Sequence, residues 1–167
     1  MNYFIFFQAI IAFLMGIISL FLVYKVLNIY LKRVFNIVEM NNAYAILQVG
    51  ILLSASILVS SIVGPGMNAI RFLNQNMTNI ASISSSMGYI FIFLLIGLVF
   101  SLLVIAGGIL VLFQLTNVNE WEEIKKDNLP TALISAALIV GLSLIMRDHV
   151  ASVCEMLIPY PEVLQIR

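Results

Sequence analysis

The sequence predicts an all-α integral membrane protein with four transmembrane helices, arranged as two parallel-oriented hairpin repeats with amphipathic connecting helices. Of its 167 residues, 62% are hydrophobic and 10% are charged, and the mean hydropathy is +1.11. Soluble domains are about half apolar and a quarter charged. The apolar residues also fall into four long runs, and a helix that crosses the hydrocarbon core needs about 20 of them.

The four predicted spans are residues 3–24, 43–63, 87–113 and 130–146. The first has no basic residues before its apolar stretch, so we expect a retained span and not a signal peptide. The second is predicted to end at Gly64-Pro65-Gly66, because proline and glycine interrupt helices. The third is longer than one crossing requires and must tilt or protrude. Pro130 falls in the first turn of the fourth, where its missing N–H costs nothing.

The segments between the spans have helical periodicity. Residues 27–38 are amphipathic and predict a helix that lies on the membrane or continues the first span. Residues 68–87 have an uncharged polar face, which could border a water-filled path; a solvated face of an interfacial helix is the favoured interpretation. A third helix is predicted where Asn119 and Glu122 form a capping box, with Glu122 facing Lys126.

We predict one membrane domain, 1–167, with repeat one at about 1–66, repeat two at about 67–149 and an extracytoplasmic tail at 150–167. Basic residues concentrate in the segments that follow the first and third spans. By the positive-inside rule, this distribution places both termini outside the cytoplasm.

The two halves share a plan. Residues 39–43 correspond to residues 125–129 at the entries to the even-numbered spans, and a shift of 86 residues pairs Gly50 with Ala136. Two spans per unit give parallel repeats. Together with Asn42 and Asn128 at the mouths of Ala/Leu/Gly-rich spans, this plan resembles the YjfL-like family of four-span bacterial membrane proteins of unknown function. The resemblance covers nearly the whole chain. It implies a bacterial inner (plasma) membrane location and supplies no catalytic residues.

Small residues recur at offsets of 0, 4 and 11 in three spans, which places them on one helix face. Helices in lipid associate by such close approach, so these faces predict tight packing within the bundle or between copies. Gly16 lies on a comparable face of the first span. The packing candidates are Gly16, Gly50, Ser54, Ser61, Gly97, Ser101, Gly108, Ala132, Ala136 and Ser143.

Uncharged polar groups predict a second possibility, a path lined by amides and hydroxyls. The pore-lining candidates are Gln48, Ser56, Ser60, Asn74 and Asn79. Serine hydroxyls can instead bond to carbonyls of their own helix, and this structural interpretation is favoured.

No predicted span contains an ionisable residue, which argues against an ordinary proton-coupled transporter. The chain has one His and one Cys and lacks paired carboxylates on a span, so we expect no catalytic, cofactor-binding or metal-binding residues. We expect the lipid bilayer as a partner, a homo-oligomer and possible other membrane subunits, and no nucleic acid. The leading hypothesis is a non-enzymatic, self-associating subunit of a bacterial membrane assembly. The alternative is an oligomeric channel or pore for ions or small solutes.

Overall fold

The computed structural model describes residues 2–35, 41–76, 79–115 and 120–158. This part of the chain forms helices and no strands. The five helices are α1 (Asn2–Phe35), α2 (Asn42–Asn76), α3 (Asn79–Leu115), α4 (Glu120–Lys125) and α5 (Leu129–Met156).

Three helices are long and apolar enough to cross a membrane. Their spans are Asn42–Leu73 in α2, Ser85–Val111 in α3 and Leu129–Met156 in α5. In the described part of α1, Phe13–Ile29 forms a further apolar helical stretch. The molecule is therefore a helical membrane protein with at least three spanning helices.

The predicted end of the second span at Gly64-Pro65-Gly66 is wrong. Helix α2 continues through Pro65 to Asn76, so the predicted boundary between the repeats at residue 66 lies inside a helix. Proline removes one backbone N–H, but membrane helices tolerate it because neighbouring groups satisfy the freed carbonyl. The segment 68–87 is consequently no separate connecting helix, since its described residues belong to the ends of α2 and α3.

Other boundaries also differ from the prediction. Helix α1 runs unbroken to Phe35, which agrees with the alternative that residues 27–35 continue the first span. Helix α5 passes the predicted exit at Arg147 and ends at Met156, with Pro130 in its first turn as predicted. Helix α4 occupies the predicted third connection, although Asn119 lies outside the described residues. Lys126 pairs with Glu123 at 3.1 Å and not with Glu122.

Helix α2 is the centre of the bundle and packs on α1, α3 and α5. In the most apolar 18-residue segment of α2, 56% of the residues are buried, compared with 28% in the corresponding segments of α3 and α5. Helices α2 and α5 run parallel, because Gly50 meets Ala136 near their beginnings and Ser54 meets Ser143 farther along. Helix α3 runs the other way, since its earlier Gly97 lies against Ile62 and its later Gly108 against Ile139.

Two apolar clusters form the core. The basal cluster lies where α2 and α5 begin and contains Val23, Tyr44, Leu47, Trp121 and Ile124 among others. The apical cluster lies towards their other ends and includes Met15, Ile62, Phe93, Val150 and Cys154. Cys154 is completely buried and unbonded to another cysteine.

Candidate functional site: the α2–α5 contact, its basal junction and the open face of α2

The closest helix approach joins Gly50 of α2 to Ala136 of α5. A Cβ added to Gly50 would lie 2.5 Å from the Ala136 Cβ and 2.7 Å from its Cα. Ala132 is also fully buried in this contact region. Backbones approach this closely only where a side chain is absent, so the sequence pattern of small residues allows the two helices to pack without a gap.

Farther along the same contact, Ser54 and Ser143 are buried and hydrogen-bonded to each other. The Ser143 hydroxyl donates to the Ile139 carbonyl at 2.8 Å, which leaves the Ser54 hydroxyl as the donor to Ser143 Oγ. Both hydroxyl groups are thereby satisfied in the membrane interior, where an unpaired polar group is costly.

Most of the remaining packing candidates also lie inside the bundle. A Cβ on Gly97 would lie 2.8 Å from Ile62 Cδ1, and one on Gly108 would lie 2.8 Å from Ile139 Cγ1. Ser101 and Ser61 are buried, and their hydroxyls donate to carbonyls of their own helices at 2.7 Å. Gly16 differs, because a Cβ added there meets no atom within 4 Å.

At the base of the bundle, the turn before α5 is hydrogen-bonded to the beginning of α2. We call this contact, between residues 123–128 and 41–44, the basal junction. Asn41 caps α2 by accepting the Tyr44 N–H at 2.8 Å, and its amide donates to the Ile124 carbonyl at 2.6 Å. Asp127 Oδ1 accepts the Ala43 N–H at 2.8 Å, which places a negative charge at the positive end of the helix dipole. Asn41 and Asp127 therefore join the two predicted repeats through reciprocal hydrogen bonds.

Asn128 caps α5 in the same way, by accepting the Thr131 N–H at 3.4 Å. Its amide donates to Glu123 Oε2 at 2.8 Å, and Lys126 pairs with the other oxygen of Glu123. This amide hydrogen bond, together with the Lys126 ammonium, lowers the pKa of Glu123 below its usual value. Among the described non-glycine residues, only Asp127 has a positive φ, of 62°. Aspartate tolerates this left-handed conformation better than most residues.

Among the pore-lining candidates whose side chains the structure describes, Ser56 and Ser60 lie on one face of α2 and Gln48 lies to one side of it. Ser56 donates to the Leu52 carbonyl and Ser60 to the Ile57 carbonyl, each at 2.7 Å, as the structural interpretation predicts. Gln48 lies about 80° around α2 from Ser56, at 3.6 residues per turn. The side chains of Asn74 and Asn79 lie outside the described part of the structure.

Ser56 and Ser60 do belong to one outward-facing surface of α2, on which Ser60 is exposed and Ser56 is half-buried. We call this surface the open face of α2; it consists of Val49, Leu53, Ser56, Ser60 and Gly64. Val49 is 57% exposed, Leu53 is 52% exposed, and a Cβ on Gly64 would meet no atom within 4 Å. The three smallest members recur every four residues and leave a shallow strip free of large side chains.

Sequence reasoning did not predict the surroundings of two basal carboxylates. One is Asp127, whose contact with α2 depends on a turn that the spacing of residues does not reveal. The other is Glu120, which is 5% exposed; neither of its oxygens has a hydrogen-bond partner in the part of the chain that the structure describes. Among the described residues, no three His, Cys, Asp or Glu side chains converge to hold a metal ion.

The long apolar helices and their close small-residue contacts define a polytopic helical membrane protein. Within that class, the chain belongs to the family described as Domain of Unknown Function (DUF350), whose model matches residues 1–150. This membership is consistent with the resemblance to YjfL-like proteins. No curated protein and no solved structure gives a significant match.

Proposed function

We propose that this protein is a four-span, non-enzymatic membrane subunit that self-associates through the open face of α2. Helix α1 is the fourth span in this proposal. It is 34 residues long, or about 51 Å at 1.5 Å per residue, which exceeds the roughly 30 Å of a hydrocarbon core. Residues 3–24 of this helix contain no charge.

The open face of α2 is the observation that carries the proposal. The other small-residue faces are occupied within the monomer. Ala136 of α5 meets Gly50 of α2, and two of the α3 glycines meet Ile62 and Ile139. On the open face of α2, by contrast, Ser60 and Gly64 are exposed and Ser56 is half-buried, although α2 is otherwise the most buried span. Close packing between small residues is a principal source of helix association in lipid, so a second copy is the occupant that this face suits best.

Cysteine cross-linking in membranes tests this contact. The starting variant is Cys154→Ser, which removes the native thiol. Ser60→Cys in that background is expected to give a covalent dimer on mild oxidation. Leu133→Cys is the matched control, since Leu133 is 63% exposed but lies on α5. Equal cross-linking of the two variants, or none at Ser60→Cys, would contradict the proposal.

A channel formed by several copies is the second candidate, and the polarity of Ser56 and Ser60 on an exposed surface favours it. Both hydroxyls already donate to their own helix, but their lone pairs can still accept hydrogen bonds from water. Purified protein in liposomes that shows a defined oligomer and passes neither K⁺ nor a small dye would remove this candidate. Flux through the unsubstituted protein that is abolished in Ser60→Leu would support a channel over self-association without conduction.

The parallel course of α2 and α5 supports the proposed repeat. Residues related by 86 positions, Gly50 and Ala136, meet directly, as expected for equivalent residues beside an approximate two-fold axis. The outer helices are less symmetric, because α3 packs on both α2 and α5, whereas α1 packs on α2 and α3. We further propose the bacterial inner membrane with both termini extracytoplasmic. In this orientation the basal junction, with Lys125 and Lys126, faces the cytoplasm.

A further inference from the structure

An apolar groove runs along the outside of the bundle between α3 and α5. Its volume is about 290 Å³, and its lining includes Phe100, Leu103, Gly107, Val111, Leu142 and Met146. The lining residues on α3 lie between Phe100 and Val111, which are about 16 Å apart along the helix. The groove exists because Gly107 has no side chain, and a Cβ placed there would meet no atom within 4 Å.

The shape and the lining of the groove indicate its occupant. The groove follows α3 for about 16 Å, has a volume of about 290 Å³ and is open along the outside of the bundle. A single extended alkyl chain is narrow enough to enter. The lining is apolar throughout and lies within the membrane-spanning parts of α3 and α5, where lipid chains are the surrounding solvent.

The chemistry at one end of the groove suits a phosphate. His149 follows Met146 by three residues and therefore lies one turn farther along the same side of α5. Its Nδ1 is 3.2 Å from the Ile145 carbonyl oxygen, which leaves Nε2 directed away from that bond. Arg147 is exposed in the same turn and has no ion pair with a described residue. Asp148, also exposed, is the acidic group of this turn.

We infer that the α3–α5 groove binds one acyl chain of a phospholipid whose phosphate lies at the Arg147–His149 turn. This site is separate from the open face of α2 and does not depend on the proposed self-association.

Photo-crosslinking of the full chain tests the site. The protein is placed in phosphatidylcholine nanodiscs that contain a small fraction of phosphatidylglycerol with a diazirine on one acyl chain, and labelled peptides are identified by mass spectrometry. Labelling at residues 100–111 and 142–146 is expected to exceed that of the exposed Phe13, Ile17 and Phe21 several-fold. Uniform labelling of all lipid-facing residues would overturn the inference.

Two glycine variants distinguish filling of the groove from the general effect of adding a large side chain to the helix surface. Gly107→Phe fills the groove and is expected to reduce its labelling at least five-fold. Gly141→Phe is the matched control, because Gly141 also has no atom within 4 Å of an added Cβ but does not line the groove. Unchanged labelling in Gly107→Phe would overturn the inference. Conversion of an oligomer to monomers by Gly107→Phe would also overturn it, because a second copy would then occupy the groove.

The phosphate is tested with a diazirine-labelled diacylglycerol, which has the same chains and no phosphate. We expect it to label the groove less than the phospholipid does. Arg147→Gln combined with His149→Gln is expected to reduce phospholipid labelling to the diacylglycerol level. Equal labelling by the two lipids in the unsubstituted protein would contradict the assignment of the phosphate to this turn.

Discussion

Gly50 and Ala136 lie in backbone contact, with only 2.7 Å between the Ala136 Cα and the position that a Gly50 Cβ would occupy. The obstructing atom belongs to the backbone of α5 and cannot rotate away. Any side chain at residue 50 must therefore push α2 and α5 apart, and these two helices connect the halves of the molecule.

Gly50→Ala is accordingly expected to destabilise the fold by about 1–3 kcal/mol, the usual range for overpacking a close contact. Gly141→Ala is the control, because its added methyl group meets open space. Unfolding of both variants in mixed micelles with increasing SDS measures the difference. A Gly50→Ala protein as stable as Gly141→Ala would show that the helices are not in contact at this point.

The contacts of α3 predict a second ordering of variants. Gly97→Leu and Gly108→Leu should weaken folding or assembly more than Leu103→Ala does. The two glycines face Ile62 and Ile139 at close range, whereas Leu103 is 60% exposed. Folded yield and resistance of the assembly to detergent are the measurements. Wild-type behaviour of the glycine variants would contradict the placement of α3.

The serine pair predicts unequal effects of two similar substitutions. Ser54→Ala removes a donor but leaves the Ser143 hydroxyl bonded to the Ile139 carbonyl. Ser143→Ala instead removes the acceptor of a buried hydroxyl. Interhelical hydrogen bonds in membranes contribute about 0.6 kcal/mol on average. Ser143→Ala should therefore lower the free energy of unfolding more than Ser54→Ala does, by an amount of this order. The double variant gives the coupling energy, and strict additivity would rule out the bond.

The basal junction predicts that Asn41→Ala costs about 1–2 kcal/mol, because it removes both the cap of α2 and a bond to α4. Asp127→Asn should cost less, since asparagine keeps an oxygen acceptor and tolerates the φ of 62°. Asp127→Ala keeps neither advantage and should be the most harmful at this position. Thermal unfolding of the three variants checks the order, and equal stability of the two Asp127 variants would contradict it.

Glu123 predicts a modest acid sensitivity. Asn128 and Lys126 lower the pKa of Glu123 in the folded protein. The contribution of Glu123 to the stability of the fold is therefore present above the usual pKa of about 4.3, and it is lost as the pH falls through the lowered pKa. The effect is small because the ion pair is exposed to solvent. Glu123→Gln should therefore narrow the difference between the Tm values at pH 6 and pH 3. An unchanged difference would show that this carboxylate does not contribute.

Much of the fold could be predicted from composition and spacing. The apolar runs located the described spans, and Pro130 correctly indicated the beginning of α5. The predicted helix end at Pro65 was wrong, because the surroundings of the helix overrode the local tendency of proline to interrupt it. Periodicity also could not distinguish separate connecting helices from the long ends of α2 and α3, since both have the same pattern.

The candidate site was less predictable. Offsets of 0, 4 and 11 identify a helix face but do not say what covers it. The face of Gly50 and Ser54 is covered by α5, whereas Ser60 and Gly64 on the same helix are exposed. Asp127 acts through a turn with a left-handed residue, which neither hydropathy nor spacing indicates.

The number of copies per particle in lipid tests the central claim most directly. Mass measurement in native-lipid nanodiscs is expected to give a defined oligomer for the unsubstituted chain and a shift to monomers for Gly64→Leu. Gly141→Leu should retain the oligomer, because its open space lies on α5 and outside the open face of α2. A monomer for the unsubstituted chain at every protein-to-lipid ratio, or an unchanged oligomer in Gly64→Leu, would contradict self-association through this face.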